Sequence, residues 1–159
     1  FTMSKFYNLT SLKSITSVTL MTLALGLSAC SGPTNPDVKA RQDIMKNYGD
    51  TMKSIGGMVK EPDTFDAVTL KEQASFLAEE SKSPWVHFED KAAIGNAKEA
   101  VWTDMADFKA KAEDFQQASA ELNVVAQTAT SADDIKMAVG AVGKSCKSCH
   151  DDYQVDKDD

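Results

Sequence analysis

The sequence predicts an all-α protein, an antiparallel bundle of four helices. Four segments carry apolar residues at alternating intervals of three and four, which places those residues on one face of a helix. No segment alternates apolar and polar residues over the length that a strand needs. The breaks between most segments are short, as they are between antiparallel neighbours in a bundle.

The first helix is predicted to begin at Asn35-Pro36-Asp37 and to end before Pro62. Asn is a favoured N-cap, Pro suits the first helical position, and Asp in the first turn complements the helix dipole. Its inner face carries Val38, Arg41, Met45, Tyr48, Met52, Ile55 and Val59.

The second and third helices are separated by the longest irregular stretch, 81–96. Asp63 or Thr64 is expected to cap the second helix, and Trp85 and Phe88 to pack the irregular stretch down. The second inner face carries Ala67, Leu70, Ala74 and Leu77. The third carries Val101, Met105, Phe108, Ala112, Phe115, Ser119 and Leu122.

The fourth helix is predicted to begin at Ser131, with Asp133 and Asp134 in its first turn. Its inner face carries Ile135, Ala138, Val139, Val142, Cys146, Cys149 and Tyr153.

This last face contains the motif Cys146-Lys-Ser-Cys149-His150, which predicts a covalently attached haem c. Two thiols three residues apart can bond the two vinyl groups of the porphyrin, and the next side chain brings an imidazole to the iron. A redox Cys-x-x-Cys pair would begin a helix within a βαβ unit, which is not predicted here. A structural zinc site needs four ligands, and only Cys30 and His87 remain in the chain.

The first 29 residues predict an export signal. Lys5 and Lys13 form a basic start, and the apolar run 15–27 is too short for a permanent membrane span. The run ends Leu27-Ser-Ala-Cys30, which resembles a lipoprotein cleavage site. We therefore expect residues 1–29 to be a signal peptide, Cys30 to carry lipid, 30–36 to be a tether, and 37–159 to be the four-helix-bundle domain that carries the haem.

These features predict a periplasmic protein anchored by lipid to the outer membrane. An ordinary signal, with Cys30 unmodified, is the alternative. Without the leader's Lys5 and Lys13, the chain has 15 basic and 24 acidic residues, a net charge of −9. That charge argues against nucleic acid as a partner and favours a basic redox partner protein.

The second axial ligand of the iron would decide the function. Met45 lies on the inner face of the first helix, and a thioether is a known haem ligand. Methionines on such faces are more often core residues, which is the expectation for Met52, Met58, Met105 and Met137. His87 lies in the irregular stretch and is expected to be a surface or capping residue.

Three segments together resemble cytochrome c′ and its relatives, the class II cytochromes c. They are Arg41-Gln-x-x-Met45-Lys, the run Val101-Trp-Thr-Asp followed by Phe108, and the haem motif at the C-terminal end of the chain. The resemblance implies that Met45 lies over the distal haem face and that Arg41 lies near a haem propionate. It also implies a possible homodimer through the first two helices.

Within this family, the resemblance leaves two functions open, and neither is that of an enzyme. The favoured one is electron transfer through a low-spin haem ligated by His150 and Met45. The alternative is a high-spin, five-coordinate haem that binds nitric oxide or carbon monoxide. Many cytochromes c′ have a basic residue four positions after the haem histidine, where this chain has Gln154, and this departure favours electron transfer slightly. A structural lipoprotein whose cysteines pair with each other is a third, weaker interpretation.

Overall fold

The computed structural model describes residues 35–155, and the predicted bundle of four long helices is confirmed. No strand lies within this range, and its one isolated β-bridge joins Ala97 to Gln154. The helices are α1 (Pro36–Lys60), α2 (Ala67–Glu80), the single turn α3 (Ala100–Thr103), α4 (Met105–Ala126) and α5 (Ala132–Tyr153). Two 3₁₀ turns, Pro62–Thr64 and Pro84–Phe88, precede α2 and α3.

The two helix starts with strong local signals lie where the sequence predicts them. The Asn35 side chain accepts a hydrogen bond from the Asp37 amide at 2.9 Å, with Pro36 as the first helical residue. At the start of α5, the Ser131 amide donates to the Asp134 carboxylate at 2.9 Å. Each cap joins residues at most three apart, so the sequence alone specifies it.

The predicted cap of α2 is wrong by a few residues. Pro62 begins a 3₁₀ turn, closed by the Thr64 amide on the Glu61 carbonyl at 2.8 Å, so the chain becomes α-helical only at Ala67. Asp66 is the N-cap, and its side chain accepts from the Thr69 amide at 2.6 Å.

The predicted third helix is interrupted at Asp104, where φ is −126° and ψ is 51°. The turn before this residue is held by Trp102, whose indole N–H donates to the Phe88 carbonyl at 2.8 Å. After it, α4 packs between α2 and α5. Both parts pack against α5, and Asp, a poor helix former, lies between them.

The main core lies where α4 packs against α2 and α5. Leu70, Leu77, Leu122, Ile135 and Val142 have no exposed surface. Helix α1 adds Tyr48, Ile55 and Met58 to this cluster and also packs against α5 and the 84–88 turn. This arrangement places α1 and the C-terminal half of α5 around a common space.

The irregular stretch before α3 is packed down by its aromatic residues, as predicted. The Phe108 ring lies 5.8 Å from the Trp85 ring, 5.0 Å from Phe88 and 5.1 Å from Tyr153, measured between centroids. The Trp85 indole N–H donates to the Ser81 carbonyl at 2.7 Å. The stretch is therefore a fixed part of the bundle.

The predictions about the leader concern residues outside the described range. They include the signal peptide, the lipidated Cys30 and the tether up to residue 34; the last two residues of the predicted tether, Asn35 and Pro36, belong to the start of α1. Among the helices that the structure describes, none combines the length and the apolar character needed to cross a membrane.

Candidate haem site

A cavity of about 680 Å³ lies beside the haem motif. Helices α1, α4 and α5 and the stretch 85–97 supply its walls, and its volume falls in the range of small-molecule and cofactor sites. Its principal lining residues are Arg41, Met45, Tyr48, Gly49, Met52, Trp85, Phe88, Asn96, Ala97, Phe108, Lys111, Phe115, Gly143, Cys146, Cys149, His150 and Tyr153.

All three residues of the haem motif line this cavity from α5. Cys146 and Cys149 are half-buried free thiols, and they are not joined to each other. Burial raises the pKa of both thiols, that of Cys149 to about 11, so both are neutral before attachment. Burial also lowers the pKa of His150, which keeps its imidazole neutral and able to bind a metal ion at pH 7.

Met45 lines the same cavity from α1. It is only half-buried because its face of the helix borders the cavity, and Met52 shares that position two turns further on. Met58 and Met105 lie outside the lining and pack in the core, as expected. Met137 was also expected in the core, but it is 88% exposed, so that expectation is wrong. His87 also lies outside the lining, with its Nδ1 atom 2.9 Å from a carboxylate oxygen of Asp37.

The chemistry of the cavity lining and the open space beside two of its glycines both suit a haem. Its surface is mainly apolar, and Arg41 and Lys111 bring two cations to a site that must hold two carboxylates. Gly49 and Gly143 lie mid-helix, where glycine costs about 1 kcal/mol relative to alanine. A Cβ added at either glycine would meet no protein atom within 4 Å, so no protein neighbour requires their small size.

Arg41 is buried at the edge of this cavity, with its guanidinium turned towards the 84–98 loop, which lies between α2 and α3. Its Nη1 donates to the His87 carbonyl at 3.0 Å, and its Nη2 donates to the carbonyls of Ala93 and Ile94, both at 2.6 Å. Its predicted contact with a haem propionate stays a prediction. Within residues 35–155, these bonds use three of its five N–H groups, which leaves two for a carboxylate.

Sequence reasoning missed Lys111, whose side chain is 18% exposed. Its Nζ lies 2.9 Å from a carboxylate oxygen of Asp152 and donates to the Ser148 hydroxyl at 3.0 Å. Nearby, the Tyr153 hydroxyl donates to Asp107 at 2.6 Å. The signal for Lys111 was its spacing, because it lies three residues after Phe108 and four before Phe115.

Comparison with known proteins gives one consistent result. The family description "Cytochrome C'" matches residues 37–154. The cytochrome c′ of Alcaligenes xylosoxydans xylosoxydans is 33% identical over 120 residues, which cover 76% of this chain and 94% of that protein.

Solved structures agree with this match. Cytochrome c prime from Shewanella frigidimarina is 34% identical, with a TM-score of 0.70, over 76% of this chain and 94% of that one. The nitric oxide complex of a cytochrome c prime mutant from Alcaligenes xylosoxidans is 32% identical, with a TM-score of 0.71, over the same shares. Fold, cavity and motif therefore agree: this chain belongs to the cytochrome c′ family, whose members are haem proteins and not enzymes, and it carries one covalently attached haem c.

Proposed function

We propose that the protein is a high-spin, five-coordinate cytochrome c′ that binds a small diatomic gas such as nitric oxide or carbon monoxide. The observation that carries the proposal is the similarity to a cytochrome c prime mutant whose solved structure is a nitric oxide complex, over 76% of this chain and 94% of that one. The sequence by itself favours the electron-transfer alternative, and the comparisons favour gas binding.

The residues of α1 would form the gas-binding side of the cavity. Met45, Gly49 and Met52 give it an apolar surface, which suits an uncharged diatomic molecule. The Tyr48 hydroxyl donates to the Glu80 carbonyl, so its aromatic ring is the part available to the cavity. Lys46 is exposed and bonds Asp50 at 2.6 Å, which directs its charge towards solvent.

When bound, the haem would supply an iron that His150 would hold and that could bind a gas molecule at an open side. In this proposal Met45 crowds that open side without bonding the iron. It thereby limits the size of the molecule that can enter and the rate at which it does so.

The second candidate function is electron transfer with Met45 as the sixth ligand. The observation that favours it is that Met45 and His150 line one cavity from two different helices. A thioether on the iron would raise the reduction potential and hold the ligand set constant between the two oxidation states. A basic redox partner would suit the acidic chain.

Carbon monoxide binding to the reduced protein separates the two candidates. We expect the wild type to bind the gas at an open position, and Met45→Ala to bind it about tenfold faster or more, because crowding is relieved. The matched control is Met137→Ala, since Met137 is 88% exposed and lies outside the cavity. A wild type that binds carbon monoxide only after Met45 is replaced would favour the second candidate.

We further propose a periplasmic location, with Cys30 lipidated and anchored to the outer membrane, and a homodimer through α1 and α2. The first two proposals rest on the leader sequence, and the third on the family resemblance. The mass of the purified N-terminal peptide would test lipidation, because unmodified Cys30 or cleavage elsewhere would contradict it.

A further inference from the structure

We propose that Arg41 is a positioning residue that fixes the 84–98 loop as one wall of the haem cavity. Through this loop it would tie helix α1, which carries Met45, to the end of helix α5, which carries His150. The inference holds for either candidate function, because it concerns how the cavity is closed and not what binds in it.

The first observation is how completely Arg41 is engaged with the loop. It is 4% exposed, and its two terminal nitrogens bond three backbone carbonyls, those of His87, Ala93 and Ile94. Its guanidinium carbon also lies 4.6 Å from the centroid of the Phe88 ring. One side chain of α1 thus holds both the start and the middle of the loop.

The second observation is that the loop backbone is shaped to lie against α1 at this point. Gly95 has φ of +50°, a left-handed conformation that favours glycine. A Cβ at Gly95 would lie 2.7 Å from Val38 Cγ1 and 3.0 Å from Arg41 Nη2. The contact of His87 with Asp37, at 2.9 Å, adds another link to the same helix.

The third observation is that the far end of the loop is bonded to the end of α5. The Lys98 amide donates to the Tyr153 carbonyl at 2.9 Å, and the Val155 amide donates to the Asn96 carbonyl at 3.0 Å. The residues that make these bonds after α5, Tyr153 and Val155, follow His150 by three and five positions. The loop is therefore bonded at one end to the helix of Met45 and at the other to the helix of His150.

The consequence concerns the haem environment. Trp85, Phe88, Asn96 and Ala97 of the loop line the cavity, so a loosened loop would admit water. Solvent exposure and burial help to set the reduction potential of a haem, and added water favours the more highly charged ferric state. A loosened loop should therefore lower the reduction potential.

Amide hydrogen exchange of the haem-loaded protein tests the loop directly. In Arg41→Gln we expect exchange at Ala93, Ala97 and Lys98 to rise by about tenfold or more, because three bonds to the loop are lost. Arg41→Lys should show most of this rise. A lysine ammonium cannot reproduce the planar guanidinium that bonds three carbonyls and stacks on the Phe88 ring. The control is Lys39→Gln, an exposed residue of α1 whose ion pair with Asp43 is also exposed; it should change nothing at the loop.

The reduction potential then separates a positioning role from a purely electrostatic one. Gly95→Ala keeps the Arg41 charge but disturbs the loop, so we expect faster loop exchange and a lower potential in this variant too. It also provides the test if Arg41→Gln does not fold. The proposal is overturned if Arg41→Gln leaves amide exchange in the loop unchanged, or if the loop of Arg41→Lys exchanges as slowly as that of the wild type. It is also overturned if Gly95→Ala changes neither loop exchange nor the reduction potential.

Discussion

At the scale of single residues, the haem site depends on missing side chains as well as on reactive ones. Gly140 and Gly143 both lie on α5, and a Cβ added at either would meet nothing within 4 Å. Only Gly143 lines the cavity, three residues before Cys146. The two glycines are therefore a matched pair that differs in nearness to the haem.

We expect opposite effects from the same substitution at these two positions. Gly140→Gln should raise the free energy of unfolding by about 0.5–1 kcal/mol, because glutamine favours helix. Gly143→Gln should lower it in the haem-loaded protein, because its side chain would compete with the haem for space. Urea unfolding of both variants measures the difference, and an equal gain at both sites would show that the haem does not use the space beside Gly143.

At the scale of elements, the start of α5 depends on one carboxylate. Asp134 accepts from the amides of Thr130 and Ser131 at 2.8 and 2.9 Å, and bonding from Thr130 and Ser131 holds its pKa below the usual range. Because the folded pKa is lowered, this carboxylate stabilises the protein fully above the ordinary Asp pKa, near 3.8. That contribution is lost as the pH falls through the lowered folded value.

Asp134→Asn should therefore have a lower urea midpoint than the wild type at pH 7. The difference between the two urea midpoints should narrow as the pH falls below the ordinary Asp pKa, because the wild-type carboxylate then loses its charge as well. Asp133→Asn is the control, since Asp133 shares the first turn but makes no such bond to the preceding amides. An equal decrease of the urea midpoint in both variants would mean that the stabilisation comes from the helix dipole and not from the hydrogen bonds of the cap.

The elements also show what sequence can predict. The starts of α1 and α5 depend on bonds between neighbours in the chain, and the helical faces depend on spacing, so both were predictable. The interruption at Asp104 depends on the contact of Trp102 with Phe88, and the orientation of Arg41 depends on carbonyls 46 to 53 residues away. Such distant pairings leave no local pattern in the sequence.

The same distinction applies to the candidate site. The sequence singles out Cys146, Cys149 and His150 because the three lie within five residues, and the structure brings them and Met45 to the same cavity. Lys111 was missed because its role depends on the neighbouring helix, where Ser148 and Asp152 lie. Whether Met45 bonds the iron was not predictable, because reach depends on helix position and not on residue type.

At the scale of the whole molecule, the haem completes one side of the bundle. Helices α1, α4 and α5 and the stretch 85–97 line the cavity, whereas α2 contributes none of its lining and packs in the buried core through Leu70 and Leu77. Preventing haem attachment should therefore destabilise the helices around the cavity more than the rest of the bundle.

In the double variant Cys146→Ser, Cys149→Ser, we expect a lower urea midpoint than in the haem-loaded protein, because an unfilled cavity forfeits packing. Hydrogen exchange should rise most in α1 and the 84–98 loop and least in α2, which supplies no residue to the cavity lining. A uniform rise across all helices would contradict this view of the bundle.

The absorption spectrum of the purified protein, oxidised and reduced, tests the central claim most directly. We predict high-spin bands in both oxidation states, with Met45→Ala spectrally unchanged, because in the proposed gas-binding protein Met45 would lie beside an open iron position without bonding it. A low-spin spectrum in the wild type that becomes high-spin in Met45→Ala would contradict the proposed gas-binding function and establish Met45 as the sixth ligand.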